Sequence, residues 1–471
     1  MNRAIMLAFL ILLVWMQSFL QEPAVAGEQP ATIAFTPGDR VMILAPHPDD
    51  EVLACGGVIQ HCVATGIPVR VVFLTYGDDN ELSFMAYRRH PVLSTKSVLK
   101  MGLVRRDEAI TAARTLGLNQ TNLVFLGYPD FGTLRIWYAH WGSEPPLRGF
   151  LTAAKAVPYK SAFRPGSAFK GEEILKDLSA IIRDFKPTRI FVSHPADHNP
   201  DHQALYLFTR IALWNLETEL KPEIYPYLVH FRNWPKQKDD DPEFYLSPPP
   251  SLSDDIEWQN VLLQHKQVER KIEALEAHKS QCKYASRFLH SFARPNELFG
   301  DFASLPPPGP QIEAGGNIHE SHSSVMPPDE LNEEERSEFV GIQARHMEVE
   351  GSDLLTTMDF TRPMGRTVGA TLYVSGYRTN RPFGRMPKVR IRIGETSVST
   401  FDQKTRLPED SVSVSRSAGR ITVRIPLDTL GNPEQIITSV QTYIGPVPLD
   451  WAPWRTLKIH RHPSSLASAG Q

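Results

Sequence analysis

Along residues 40–235, short apolar runs and amphipathic stretches take turns, a pattern that predicts strand and helix in alternation. Residues 41–44, 69–75, 123–126 and 189–193 have the length and β-branched content of buried strands. Residues 105–118 place Ala109, Ala112, Ala113 and Leu116 on one helical face, with Gly117 as the stop. Residues 172–185 and 203–220 read as helices, and 131–166, rich in Trp, Pro and Gly, as an irregular excursion over the sheet. Residues 225–234 read as another strand, and 264–280 as an amphipathic helix with Val268, Ile272 and Leu275 on one side. This rhythm predicts an α/β fold with a doubly wound, mostly parallel, Rossmann-like sheet.

The pattern changes downstream. Residues 304–335 turn to Pro, Gly, Ser and acid without periodicity. Beyond them, alternating runs at 368–374, 389–393, 421–425 and 436–443, punctuated by Gly, Pro and Ser, predict a C-terminal all-β domain of sandwich type. Before the first strand, Arg3, the apolar run 4–16 and Ala24-Val25-Ala26 ahead of Gly27 have the anatomy of a secretory signal peptide. The run is shorter than the roughly 20 residues a membrane-spanning helix needs, so export with cleavage is expected, and no later stretch is apolar enough to span. The expected organisation is a signal peptide (1–26), an α/β domain (38–302), a linker (303–342) and a β-domain (343–462).

Composition narrows the function classes. The 471 residues are 41% hydrophobic and carry a net charge of −3, which gives no reason to expect a nucleic-acid partner. Three cysteines, Cys55, Cys62 and Cys282, are too few and too scattered for a disulfide framework or a cysteine zinc site.

Candidate chemistry concentrates at two strand-to-helix turns. The first is Ala45-Pro46-His47-Pro48-Asp49-Asp50-Glu51; the second, after the strand at 189–193, is His194-Pro195-Ala196-Asp197-His198-Asn199-Pro200-Asp201-His202. Two such turns on one parallel sheet face the same edge, where α/β folds bind ligands. His47 and Asp50, three apart across a tight turn, can face one ion, with the missing ligand expected from His202. Asp49, between them, is placed to act as general base on a water whose pKa the metal lowers toward ~7. Helix-dipole stabilisation alone would account for the acids, but not for His47 or for the second cluster.

The motif A-H-P-D-D-E after a strand, varied here only by Pro46 inside Ala45-Pro46-His47, with a downstream P-D-H opening a helix, resembles the PIG-L/LmbE-like family of zinc-dependent de-N-acetylases. Arg105 and Glu108, Asp130 after Leu126-Gly127, Lys271, Ser280-Gln281 and Glu297-Leu298-Phe299 agree with it, so the resemblance covers about 40–299 and leaves the β-domain out. It implies one zinc ion held by His47, Asp50 and His202, Asp49 as base, and a sugar pocket lined by Arg105 and Asp130. Many members have His where this chain has Asn199. Asn can donate a hydrogen bond but deliver no proton, so His198 or His194 is a candidate to substitute. Trp451 and Trp454 are candidates to stack on a sugar, although tryptophans of a β-domain more often belong to its core. The implied activity is removal of an acetyl group from an N-acetylated amino sugar or glycoconjugate by an exported enzyme. The alternatives are a metal-dependent amidase or esterase acting on another substrate, and a glycan-binding surface protein with a vestigial metal site.

Overall fold

Residues 41–45 (Val41–Ala45, β1) divide their side chains between two cores. Val41, Ile43 and Ala45 point into one, Met42 and Leu44 into the other, and all five are buried. This is the signature of a strand covered on both faces. In this computed structural model, which describes residues 30–79, 94–235, 244–302, 315–318 and 331–459, β1 is the middle of a five-stranded parallel sheet. Its neighbours are Val69–Thr75 (β2) and Leu123–Tyr128 (β3) on one side, and Arg189–Ser193 (β4) and Glu223–Tyr227 (β5) on the other. The order 3-2-1-4-5 reverses direction between β1 and β4, and the turns after these two strands open there side by side.

The helices of this unit, among the described residues, are Asp50–Thr65 (α1), Thr95–Thr115 (α2), Thr133–Ala139 (α3), Gly171–Phe185 (α4), Pro200–Asn215 (α5), His265–Glu276 (α6) and Lys279–His290 (α7). α2 starts ten residues before its expected position because Ser94 and Ser97 form a reciprocal capping box. α3 supplies a helix inside the stretch expected to be irregular. The helix expected over 264–280 is instead two, α6 and α7, which meet at His278 (φ −79°, ψ 60°), a fully buried side chain 3.6 Å from Glu51. β5 is shorter than the expected 225–234 run. Past Tyr227 the amides of Val229 and His230 donate to Asp197 Oδ2, 2.9 Å each, instead of to a neighbouring strand.

The β-domain consists of two antiparallel sheets. One has the order 413–416, 420–426, 353–360, 342–350, 315–318; the other 405–406, 398–402, 388–393, 368–377, 435–444, 447–458. Most of the expected linker lies outside the described residues, but within it Gly315–Ile318 pairs along Ile342–Glu350 as an edge strand. The expected signal peptide also lies outside the described residues. No helix among them is long and apolar enough to cross a membrane.

The two units share a core. Phe383, Met386, Ile437 and Trp454 of the β-domain are buried with Trp137, Trp141 and Phe208 of the α/β unit. Trp137 stacks on Phe383 at 5.2 Å, and the Lys388 ammonium lies 4.5 Å from the centre of the Trp141 ring.

Candidate metal centre

The turn after β1 runs straight into α1, which lifts His47, Asp49 and Asp50 to the carboxyl edge of the sheet. Asp50 opens α1 and folds back, so that Oδ2 accepts from the His47 amide at 2.9 Å. The same oxygen lies 3.2 Å from His47 Nδ1 and 3.2 Å from His202 Nε2. Tetrahedral ligands at zinc bond lengths of about 2.0–2.1 Å would be separated by roughly 3.3 Å. Asp50 Oδ1 is buried without a hydrogen-bond partner, as is expected of a carboxylate facing a cation.

The rear nitrogen of each imidazole faces carboxylate. His47 Nε2 lies 3.0 Å from Asp130 Oδ1 and 3.2 Å from Asp201 Oδ2, and His202 Nδ1 lies 3.1 Å from Asp197 Oδ2. Such partners fix the tautomer of a metal-ligating histidine and turn its free nitrogen toward the ion. The residues therefore fit a divalent cation. His47, Asp50, His202 and His230 present ligand atoms all within 4.8 Å of one another; a second group consists of His47, Asp130 and Asp201.

The carboxylates that brace the imidazoles are themselves fixed. Asp201 accepts from the amides of Phe131 (2.5 Å) and Thr133 (3.0 Å) and from the Thr133 hydroxyl, which ties the start of α3 to the start of α5. Asp130 accepts from the Asp79 and Phe131 amides at 2.9 and 3.1 Å.

Asp49 is held in a rarely occupied backbone conformation (φ 155°, ψ −28°). Its N–H donates to Glu51 Oε2 at 3.0 Å, and its carboxylate meets Arg105 Nη2 at 3.1 Å. Arg105 also donates to the carbonyls of Gly77 (2.9 Å) and Pro48 (3.1 Å), so one guanidinium locks both the base candidate and its loop. Burial pushes the Asp49 carboxyl up to about 6 against the pull of Arg105, with Asp50 adding to the rise. Burial would also raise Asp50, but His202 and His47 hold it well below the usual carboxylate range.

A cavity of about 660 Å³ opens over these groups. It is lined by His47, Asp49, Asp50, Arg105, Asp130 and Asn199, and on the far side by His230 and α7. Asn199 caps α5, its Oδ1 accepting from the Asp201 amide at 2.8 Å, which leaves the NH₂ as its free group. His198 is not part of the lining. It is exposed, with its ring against Phe231 and Trp451 at 5.0 and 6.3 Å. His194 points inward, fully buried, and its Nδ1 accepts from the Ala196 amide at 3.0 Å. Neither histidine reaches the cavity. His230 does, its ring centre 4.9 Å from that of His202 and parallel to Phe288. Burial, with His202 beside it, lowers His230 to about 4. The sequence reading missed His230. The available signal was its position three residues past a parallel strand, on the edge shared with the other two turns.

Fold and site together place a buried His/Asp group that could hold a metal ion at the switch point of a parallel sheet. Residues 42–213 match the family described as PIG-L: GlcNAc-PI de-N-acetylase, and this part of the chain belongs to that family. Two relatives are both named 1D-myo-inositol 2-acetamido-2-deoxy-alpha-D-glucopyranoside deacetylase. The one from Mycobacterium sp. (strain KMS) is 27% identical over 205 residues, covering 43% of this chain and 58% of the relative. The one from Actinosynnema mirum is 30% identical over 184 residues, covering 38% and 57%. The chain thus spans a little over half the length of these curated relatives. Among solved structures, N,N'-diacetylchitobiose deacetylase from Pyrococcus horikoshii aligns with 55% of this chain and 82% of its own, at 20% identity and a TM-score of 0.34.

Proposed function

We propose that this chain is an exported, metal-dependent hydrolase that removes the N-acetyl group from an N-acetylated amino sugar or glycoconjugate. The observation that carries the reading is the convergence of His47 Nδ1 and His202 Nε2 on Asp50 Oδ2, with a carboxylate behind each ring. These three atoms would hold one zinc ion, which when bound supplies Lewis acidity and eases deprotonation of water. The relatives named as acetamido-sugar deacetylases support the substrate class.

The chain's own residues account for the remaining steps. Asp49 takes the proton as water adds to the amide carbonyl. A carboxyl raised to about 6 suits both taking that proton and returning it to the departing nitrogen as the C–N bond breaks. Asn199, its oxygen engaged in the helix cap, presents NH₂ to the developing oxyanion. Arg105 holds Asp49 and leaves the proton transfer to it. The N-terminal pattern supports export with cleavage after Ala26; sequencing the secreted protein should then begin at Gly27.

The test is acetate release from a panel of N-acetylated sugars, glycoconjugates and simple amides, with chelator and with zinc restored. Expected are release from the sugars, loss on chelation and recovery with zinc. Asp49→Asn should retain zinc and lose at least about 10²-fold in turnover. Release confined to non-sugar amides, or indifferent to chelator, would defeat the proposal.

A further inference from the structure

Among the described residues the β-domain contributes none to the lining of the catalytic cavity, yet two hydrogen bonds and one close polar contact form a line from it to the metal centre. Trp454 is 1% exposed, and its indole N–H donates to Gln203 Oε1 at 3.1 Å. Gln203 Nε2 donates to the Asp197 carbonyl at 3.0 Å. Asp197 Oδ2 then lies 3.1 Å from His202 Nδ1. The polarity of this line is determined, because an indole N–H can only donate and a backbone carbonyl can only accept, so the Gln203 amide has one satisfying orientation.

A second route converges on the other ring. Trp137 of α3 is stacked on Phe383 and lies 6.5 Å, edge to face, from Trp454. At the head of the same helix Thr133 holds Asp201, the carboxylate 3.2 Å from His47 Nε2. One carboxylate behind each imidazole, Asp201 at His47 and Asp197 at His202, is therefore anchored, within a few residues, to the β-domain's aromatic face.

We infer that the β-domain is a structural component of the metal centre, with Trp454 and Gln203 as positioning residues that hold Asp197 and, through it, the His202 imidazole. The inference rests on the metal reading above but not on the identity of the substrate. It assigns the appended domain the task of setting metal affinity from behind the site.

The test uses the full-length protein and four variants: Trp454→Phe, Gln203→Met, their combination, and Tyr377→Phe. Tyr377 is the control. Its hydroxyl donates across the same interface to Asn215 at 3.2 Å, at the far end of α5. Zinc affinity is measured by competition with a chromogenic chelator, alongside the melting temperature of the metal-free protein and kcat with and without excess zinc. Expected is about tenfold weaker zinc binding for each single variant, the lower end of what losing an outer partner does. The double variant should be no weaker than either single one, because both break the same line. Excess zinc should restore kcat, the metal-free melting temperature should stay near wild type, and Tyr377→Phe should bind within twofold of wild type. Trp454→Phe and Gln203→Met binding zinc within twofold of wild type would overturn the inference, as would fully multiplicative losses in the double variant. If Trp454→Phe fails to fold, Gln203→Met decides alone. Wild type that binds zinc but releases no acetate would defeat the deacetylase reading and leave this inference standing; wild type that binds no zinc would defeat both.

Discussion

Arg105 illustrates how much one side chain can determine. Its guanidinium is packed so closely against Gly77 that a Cβ there would lie 2.2 Å from Nη1, at a backbone φ of +63° that L side chains rarely adopt. Gly77→Ala should push the guanidinium off Asp49 and lower kcat by at least about tenfold, by the cost of a small misplacement of catalytic groups. Steady-state kinetics would show it, and a variant with wild-type kcat would sink the assignment. Arg105→Lys should not rescue, because one ammonium cannot span Asp49, Pro48 and Gly77 together. His47, Asp50 and His202 were legible in sequence because a parallel sheet sends its strand ends to one edge. The job of Arg105 was not. The resemblance implies a place in the sugar pocket, and Arg105 does line the cavity, but its guanidinium also braces the loop that carries Asp49. Asp78 is likewise buried, against the Tyr159 hydroxyl, and burial, with Asp130 nearby, pushes it up to about 7.

At the scale of elements, α1 is the part whose sequence conceals its behaviour. It is broken at Cys55 (φ −131°, ψ 16°), and the amides of Gly57 and Val58 past the break donate to Glu297 at 2.7 and 3.1 Å. Lys271 Nζ completes the arrangement 2.7 Å from Glu297, with both side chains buried. The first turn of α1, which presents Asp50, is thereby aimed independently of the rest of the helix. Lys271→Met would leave Glu297 buried without its counter-charge, and should destabilise the fold by about 3–5 kcal/mol in urea unfolding. A change below about 1 kcal/mol would mean that the amides alone satisfy Glu297. Strands could be located from apolar runs, and four of the five in the sheet begin within a residue of where those runs do. Helix ends were harder, since caps such as Ser94 and breaks such as Cys55 and His278 depend on side-chain partners hundreds of residues away or on single hydroxyls.

For the whole molecule, the contact between the two units is the feature that hydrophobic patterning could not reveal, because Trp137 and Trp141 lie in the stretch read as an irregular excursion and Trp454 reads as a sugar-stacking candidate or as core of its own domain. The same region sets an acid limit on stability. His194 is enclosed between Trp258 and Phe302, and burial, reinforced by Arg455, lowers it from 6.5 to about 3. The folded chain thus keeps this ring neutral while the unfolded chain protonates it near 6.5. The unfolded state binds more protons below that value, so stability falls as pH drops from about 6.5 toward about 3. His194→Gln should flatten that decline, which melting temperatures at pH 7 and pH 5 would register; parallel declines would refute it.

The bond between Trp454 and Gln203 joins residues 251 positions apart. At chain elongation rates of about 5–20 residues per second, roughly 10–50 s separate the two on the ribosome. From His230 onward, which is most of that interval, every residue of the candidate ligand group has been made, while the indole proposed to steady them has not. If the proposed metal reading holds, a chain interrupted in its second half would carry the complete ligand set and hold a metal ion loosely.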